Sequence, residues 1–235
     1  MTDHLQAGQG TIVPSLFIGM GGIGSRIVDR IASHARRLTN WKSQLEPLTS
    51  FVSVDTNEGD QHKLRCIPPG NRINIAAFDK VRAIEGYRRS KDLQALQWLD
   101  KAYQPRAGYK PGAGQIRVES RLGFFNHSPE IRKRLQHLVA DALRPGITWR
   151  QSKPPKYNVY IFCTLAGGTG SGSFLPMAYL VQDVIEDIHW QPRLVGNFLL
   201  STLLLEKVGT ELHPDIHANT YAALKELEHL TKLDY

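Results

Sequence analysis

Cysteine is scarce: Cys66 and Cys163 are the only two in 235 residues, far apart in sequence and with no Cys-x-x-Cys pair. That excludes a disulfide framework and a cysteine-based zinc site. No run of 18 apolar residues occurs, so no segment reads as a transmembrane helix. The longest apolar stretch, Leu194 to Leu205, is broken by Gly196, Asn197, Ser201 and Thr202. The opening MTDHLQAGQG lacks the basic and apolar regions of a signal peptide, and residues 1–10 read as a disordered N-terminus. These absences predict a cytoplasmic protein with one domain over residues 11–235. No lysine follows a glycine loop in the G-x-x-x-x-G-K-[ST] spacing, which excludes a P-loop. No internal repeat is present.

What the chain does have is glycine, in three clusters. The most informative is Ala166-Gly167-Gly168-Thr169-Gly170-Ser171-Gly172. It follows an apolar run ending at Leu165 and precedes a helical stripe of Phe174, Ala178, Val181, Ile185 and Ile188. A strand, a nearly side-chain-free loop and a helix start can cradle phosphate. Amides approach the anion closely, and the helix dipole adds partial positive charge. A flexible linker is the plain alternative. A second cluster, Gly19-Met20-Gly21-Gly22-Ile23-Gly24-Ser25, has the G-x-G-x-x-G spacing, and Asp55 closes the next strand. A third, Pro111-Gly112-Ala113-Gly114-Gln115, is followed by Arg117 and Arg121, which could neutralise a terminal phosphate.

The spacing between these clusters alternates strand and helix. Strands are predicted over 12–20, 50–55, 72–77 and 157–165, and residues 193–205 read as a buried strand running into a loop. Helices are predicted after Gly24 (stripe Ile23, Ile27, Ile31, with Val28 and Ala35 beside it), over 79–88, over 90–103, from Ser128-Pro129 onward (Ile131, Leu135, Leu138, Ala142), after the 167–172 loop, and after Pro214 (Tyr221, Leu224, Leu227, Leu230). Residues 104–127 read as a long loop. The fold expected is α/β, a doubly wound, mostly parallel sheet with helices on both faces. In such sheets ligands bind at the carboxyl ends of the strands, so one nucleotide could touch all the glycine loops.

The net charge is +7, and eight Lys/Arg against two Glu fall between Lys101 and Arg134. A solvated face, a polyphosphate contact and a nucleic-acid patch all fit that cluster. No nucleic-acid motif accompanies it, so nucleic acid is not expected as a partner. The His213/His217 pair has helical metal spacing but sits at a helix start rich in capping residues, and no metal site is expected there.

AGGTGSG after an apolar strand resembles the signature loop of the tubulin and FtsZ superfamily of GTPases, usually GGGTGSG. IGMGGIGSRIVDRI resembles the first phosphate loop and helix of that superfamily, and SFVSVDTN its second strand and loop. GAGQIRVESRLGFF is similar to the third loop, which senses the terminal phosphate. PRLVGNFLLSTLL and HANTYAALKEL resemble the fifth strand and the following helix. The GAGQ-x-R and ANTYAALKEL forms together resemble the prokaryotic tubulin-like proteins more than FtsZ itself. The resemblance implies GTP/GDP held by Gly21, Gly22, Gly24, Ser25, Gly112, Gly114 and Gly167 to Gly172, including Gly168, Thr169, Gly170 and Ser171. It implies Mg²⁺ bridging the phosphates, Arg117 and Arg121 at the terminal phosphate, and Asp55, Glu206 and Asn219 near the ribose. It also implies self-association into polymers with tubulin-like subunits.

Two features depart from the pattern: Ala166 replaces a glycine, and the chain ends about one strand and two helices early. The expectation is a nucleotide domain incomplete at its C-terminal end, a GTPase only when completed by further segments and a neighbouring subunit. Two other readings stay open. One is a Rossmann-type adenylate- or NAD-binding enzyme, similar to ubiquitin-activating-type adenylyltransferases. The other is a nucleotide-free interaction module.

Overall fold

The computed structural model describes residues 12–89, 98–100, 102–104, 116–143 and 155–232. Five strands, β1 (Ser15–Met20), β2 (Thr49–Asp55), β3 (Arg72–Asn74), β4 (Lys156–Thr164) and β5 (Gln191–Leu199), form one sheet in the order β3-β2-β1-β4-β5. Every pairing is parallel. All the strand C-termini therefore open on one edge, as the alternation of elements predicts.

The helices divide between the two faces. On one, α1 (Gly21–Ala35) covers Phe17, Phe51 and Phe162, with Trp41 and Ile67 beside it. The register sets Phe17 opposite Phe51 and Tyr160, and their rings stack at 5.4 and 4.9 Å. On the other face, Leu16, Ile18, Met20, Val52, Val54, Val159, Ile161 and Cys163 pack against α4 (Arg117–Asp141), α5 (Thr169–Glu186) and α7 (His213–Thr231). Short helices α2 (Glu58–His62), α3 (Lys80–Arg89) and α6 (Thr202–Leu205) complete the order.

Four expectations need correction. The inward stripe of α1 is Gly24, Val28 and Ala32, with the half-buried Ile31 and Ala35 packed beside it, whereas Ile23 and Ile27 lie outside that cluster. Small residues let the helix approach the sheet. The isoleucines line a groove of about 740 Å³ beside Leu203 and Lys207. Second, residues 117–127 are helix rather than loop, and α4 runs straight through Pro129. Proline removes the donor for the Phe125 carbonyl, and the Ser128 hydroxyl supplies a replacement at 2.9 Å. The buried Phe124 extends the Ile131–Leu135 stripe upstream, and Leu122 on the opposite face packs with Ile84 and Leu99. Third, β5 is half-exposed because it is the edge strand. Fourth, Tyr221 and Leu224 of α7 face outward, and its inner side is Ile216, Asn219, Thr220 and Ala223. The expected helix over 90–103 lies mostly outside the described residues.

Asp29 on α1 organises the link from α2 to β3. Its Oδ1 accepts the N–H groups of Cys66 and Ile67 at 2.7 and 2.9 Å, and both oxygens accept that of Arg65. Asp29→Asn is expected to lower stability by about 1–2 kcal/mol through loss of charge-assisted bonds. A reduced urea midpoint at unchanged slope would register it.

Candidate functional site

The two glycine loops meet at the carboxyl edge. Gly21 follows β1 with φ of 71°, and a Cβ there would stand 3.4 Å from both the Gly170 N and the Thr169 Cβ. Helices α1 and α5 thus begin side by side. Neither has a side-chain N-cap bond nor an acidic residue in its first turn. Two helix N-termini without side-chain caps converge on one place, an arrangement that favours an anion.

The end of β2 joins them. Asp55 Oδ1 accepts the N–H groups of Thr56 and Asn57 at 2.7 and 3.2 Å and the Thr169 hydroxyl at 3.3 Å. The hydroxyls of Thr56 and Thr169 pair at 2.7 Å. Asp55 is 2% exposed, and among the described residues its Oδ2 has no hydrogen-bond partner. Burial pushes the Asp55 carboxyl up to about 6, against the pull of the Asn57 and Thr56 amides and with the Asp60 charge adding to the rise.

Several site candidates make contacts within the protein itself. Gly24 and Gly172 touch backbone: an added Cβ would lie 2.1 Å from the Phe162 carbonyl oxygen and 2.2 Å from that of Arg117. The Ser25 hydroxyl is buried between the Gly19 carbonyl and the Ser53 hydroxyl. Ser171 donates to the Asn219 carbonyl at 3.2 Å, and Asn219 Nδ2 donates to the Ala166 carbonyl at 3.2 Å. Asn219 thereby holds the loop against α7. Ala166 is fully buried, its methyl packed inside the protein.

Arg117 and Arg121 contact the Ser171 and Gly172 carbonyls and Glu226. Arg132 pairs with Asp183 and Asp187, and Arg134 with Asn71, so much of the basic cluster is internal bracing. Glu206 is exposed after α6, and among the described residues nothing bonds it to the loops. Gly112 and Gly114 lie outside the described residues. Sequence reasoning missed Thr56 and Glu226. Thr56 neighbours Asp55 and was within reach of the motif, whereas nothing local marks Glu226. Among the described residues no cluster of three His, Cys, Asp or Glu side chains is placed to hold a metal, and His213 donates to the Leu205 carbonyl.

Residues 16–235 match the family of tubulin-like proteins. The chain belongs to the tubulin-like family. No curated protein matches its sequence significantly. Among solved structures, this tubulin-like chain resembles TubZ from Clostridium botulinum phage c-st, with 15% identity and a TM-score of 0.53 over 92% of this chain and 48% of that one. It also resembles TubZ of Bacillus thuringiensis serovar israelensis, solved as a GTPγS-form protofilament. There the identity is 17% and the TM-score 0.50, over 92% of this chain and 41% of that one. The tubulin-like chain spans about half the length of these structures. Among its described residues no helix is long and apolar enough to cross a membrane.

Proposed function

We propose that the paired glycine loops bind the phosphates of a guanine nucleotide, whose charge Mg²⁺ would help to neutralise. The observation that carries the reading is the convergence of two uncapped helix N-termini at Gly21 and Gly170. The gap that a Cβ on Gly21 would fill suits an anion's approach to backbone. The preference for guanine and the assembly into filaments rest on the family and on the GTPγS-form protofilament of its Bacillus relative. Amides of Gly167 to Ser171 would orient the phosphates, Asp55 would face the ribose side, and Asn219 would hold the loop in place.

An adenylate or NAD enzyme built on Gly19 to Gly24 is less well supported, because Gly19 and Gly24 both serve close packing. Titration calorimetry with GTP, GDP, ATP and NAD, with and without Mg²⁺, separates the readings. Guanine nucleotides are expected to bind in the micromolar range or tighter. Gly21→Ala adds a methyl in ordinary contact but at positive φ, costing about 1 kcal/mol of stability. It should weaken nucleotide binding at least tenfold, or about 1.4 kcal/mol. Absence of binding by folded wild-type protein, or full affinity in Gly21→Ala, would sink the proposal.

A further inference from the structure

The helix that carries the glycine loop is gripped from behind. Three of the first four carbonyls of α5 are engaged by side chains of α4. The Ser120 hydroxyl donates to the Thr169 carbonyl at 2.9 Å. Arg117 donates Nε and Nη2 to the Ser171 carbonyl at 3.2 and 2.9 Å. Arg121 Nε donates to the Gly172 carbonyl at 3.0 Å. That last contact has a definite cause. Pro176 lies inside α5 and has no N–H, so the Gly172 carbonyl four residues earlier lacks its helical donor.

Both guanidinia then close on one carboxylate of α7. Arg117 Nη2 meets Glu226 Oε2 at 2.5 Å, and Arg121 Nη2 meets both Glu226 oxygens at 3.0 and 3.1 Å. The three side chains are 16, 18 and 28% exposed, which limits solvent screening. Helix carbonyls and amides point to opposite ends, so these arginines hold the side of α5 away from the amides that face an anion.

We propose that Arg117, Arg121 and Glu226 are positioning residues, a clamp that fixes the first turn of α5 and thereby sets nucleotide affinity from α7. The clamp rests on the nucleotide reading for its consequence but not for its mechanics. Lysine is the discriminating substitution, because it keeps the charge and lacks the planar fork. Arg132→Lys is the control. It disturbs a bridge between the same two helices, to Asp183 and Asp187, without touching the loop carbonyls.

The test pairs hydrogen exchange of the amides of residues 172–175 in nucleotide-free protein with GTP and GDP calorimetry. Arg117→Lys and Arg121→Lys are expected to speed that exchange about tenfold and to weaken nucleotide binding about tenfold, with Arg132→Lys matching wild type in both. Glu226→Gln, nearly isosteric, should act in the same direction and covers the case of a lysine variant that fails to fold. Wild-type exchange in the Arg117, Arg121 and Glu226 variants overturns the clamp, as does equal disturbance by Arg132→Lys. Faster exchange in a protein whose wild type binds no nucleotide would keep the clamp and remove the nucleotide reading instead.

Discussion

Replacing Gly24 with alanine is expected to leave little folded protein. An alanine Cβ at that position would stand 2.1 Å from the Phe162 carbonyl oxygen, 2.9 Å from the Phe162 carbonyl carbon and 3.2 Å from the Cys163 Cα. All three are backbone atoms of β4, in the middle of the sheet, so relief requires α1 to lift off the strands. That movement would open the core around Val28, Ala32 and Phe51. A cost on the order of 4 kcal/mol follows, a large share of the stability of a domain this size.

Gly22 gives the contrast within the same motif. Its added Cβ would meet only the Asp60 carboxylate, at 2.7 Å from Oδ2. That side chain can turn aside at the expense of its contacts with Arg26, Lys63 and Asn57, so the loss should stay near 1 kcal/mol. Gly86 gives the opposite sign. It sits in α3 with nothing within 4 Å of an added Cβ, and alanine should stabilise by about 0.5–1 kcal/mol. Thermal melts of the three variants rank these effects. A Gly24→Ala protein melting within about 2 °C of wild type would show that the helix–sheet contact is not tight there.

This ordering explains why the glycine motifs were legible as motifs yet ambiguous residue by residue. G-x-G-x-x-G marks a strand–turn–helix with close backbone approach, and the structure places β1, Gly21 and α1 where that pattern predicts. Spacing does not say whether a glycine yields room to a ligand or to a neighbouring strand. Gly24 and Gly172 yield it to the protein, and Gly21 opens toward the adjoining loop. The parallel sheet was legible for a similar reason, since short apolar runs separated by amphipathic helices admit few other arrangements.

What stayed hidden depends on contacts distant in sequence. Pro129 reads as a helix start because proline suits a first turn. Only the Ser128 hydroxyl on the Phe125 carbonyl and the buried Leu122 and Phe124 allow α4 to pass through it. Ile23, Ile27 and Ile31 read as the core stripe because they are the most apolar residues on α1. The helix is rotated instead by the need to bring Gly24 against β4. Arg117 and Arg121 read as phosphate ligands because of the glycines preceding them. Their partner Glu226 lies 109 and 105 residues away, and no local pattern could announce it.

Asp55→Asn is expected to make the nucleotide-free protein more stable at pH 7.5. The carboxyl ordinarily titrates near 3.8, and burial raises it to about 6 in the folded chain. Between those two values the folded protein holds a proton that the unfolded chain has released. Stability therefore falls as pH rises through that window. By neutral pH the charged form has cost about 3 kcal/mol relative to a neutral side chain. Asparagine keeps an oxygen for the Thr56 and Asn57 amides and carries no charge. It also buries an amide where Oδ2 now lacks a partner, which offsets part of the gain. A net gain of about 2 kcal/mol at pH 7.5, shrinking toward zero near pH 4, is the expected result of urea melts at the two pH values. An equal difference at both would show that Asp55 does not titrate in this window. A destabilised, charged carboxylate whose Oδ2 has no partner among the described residues, at the edge where two glycine loops meet, is the kind of strain that a binding site stores. The same variant should then lose nucleotide affinity while gaining stability. If it gains stability and binds nucleotide unchanged, Asp55 serves the hydrogen bonds with Thr56 and Thr169 and not the ligand.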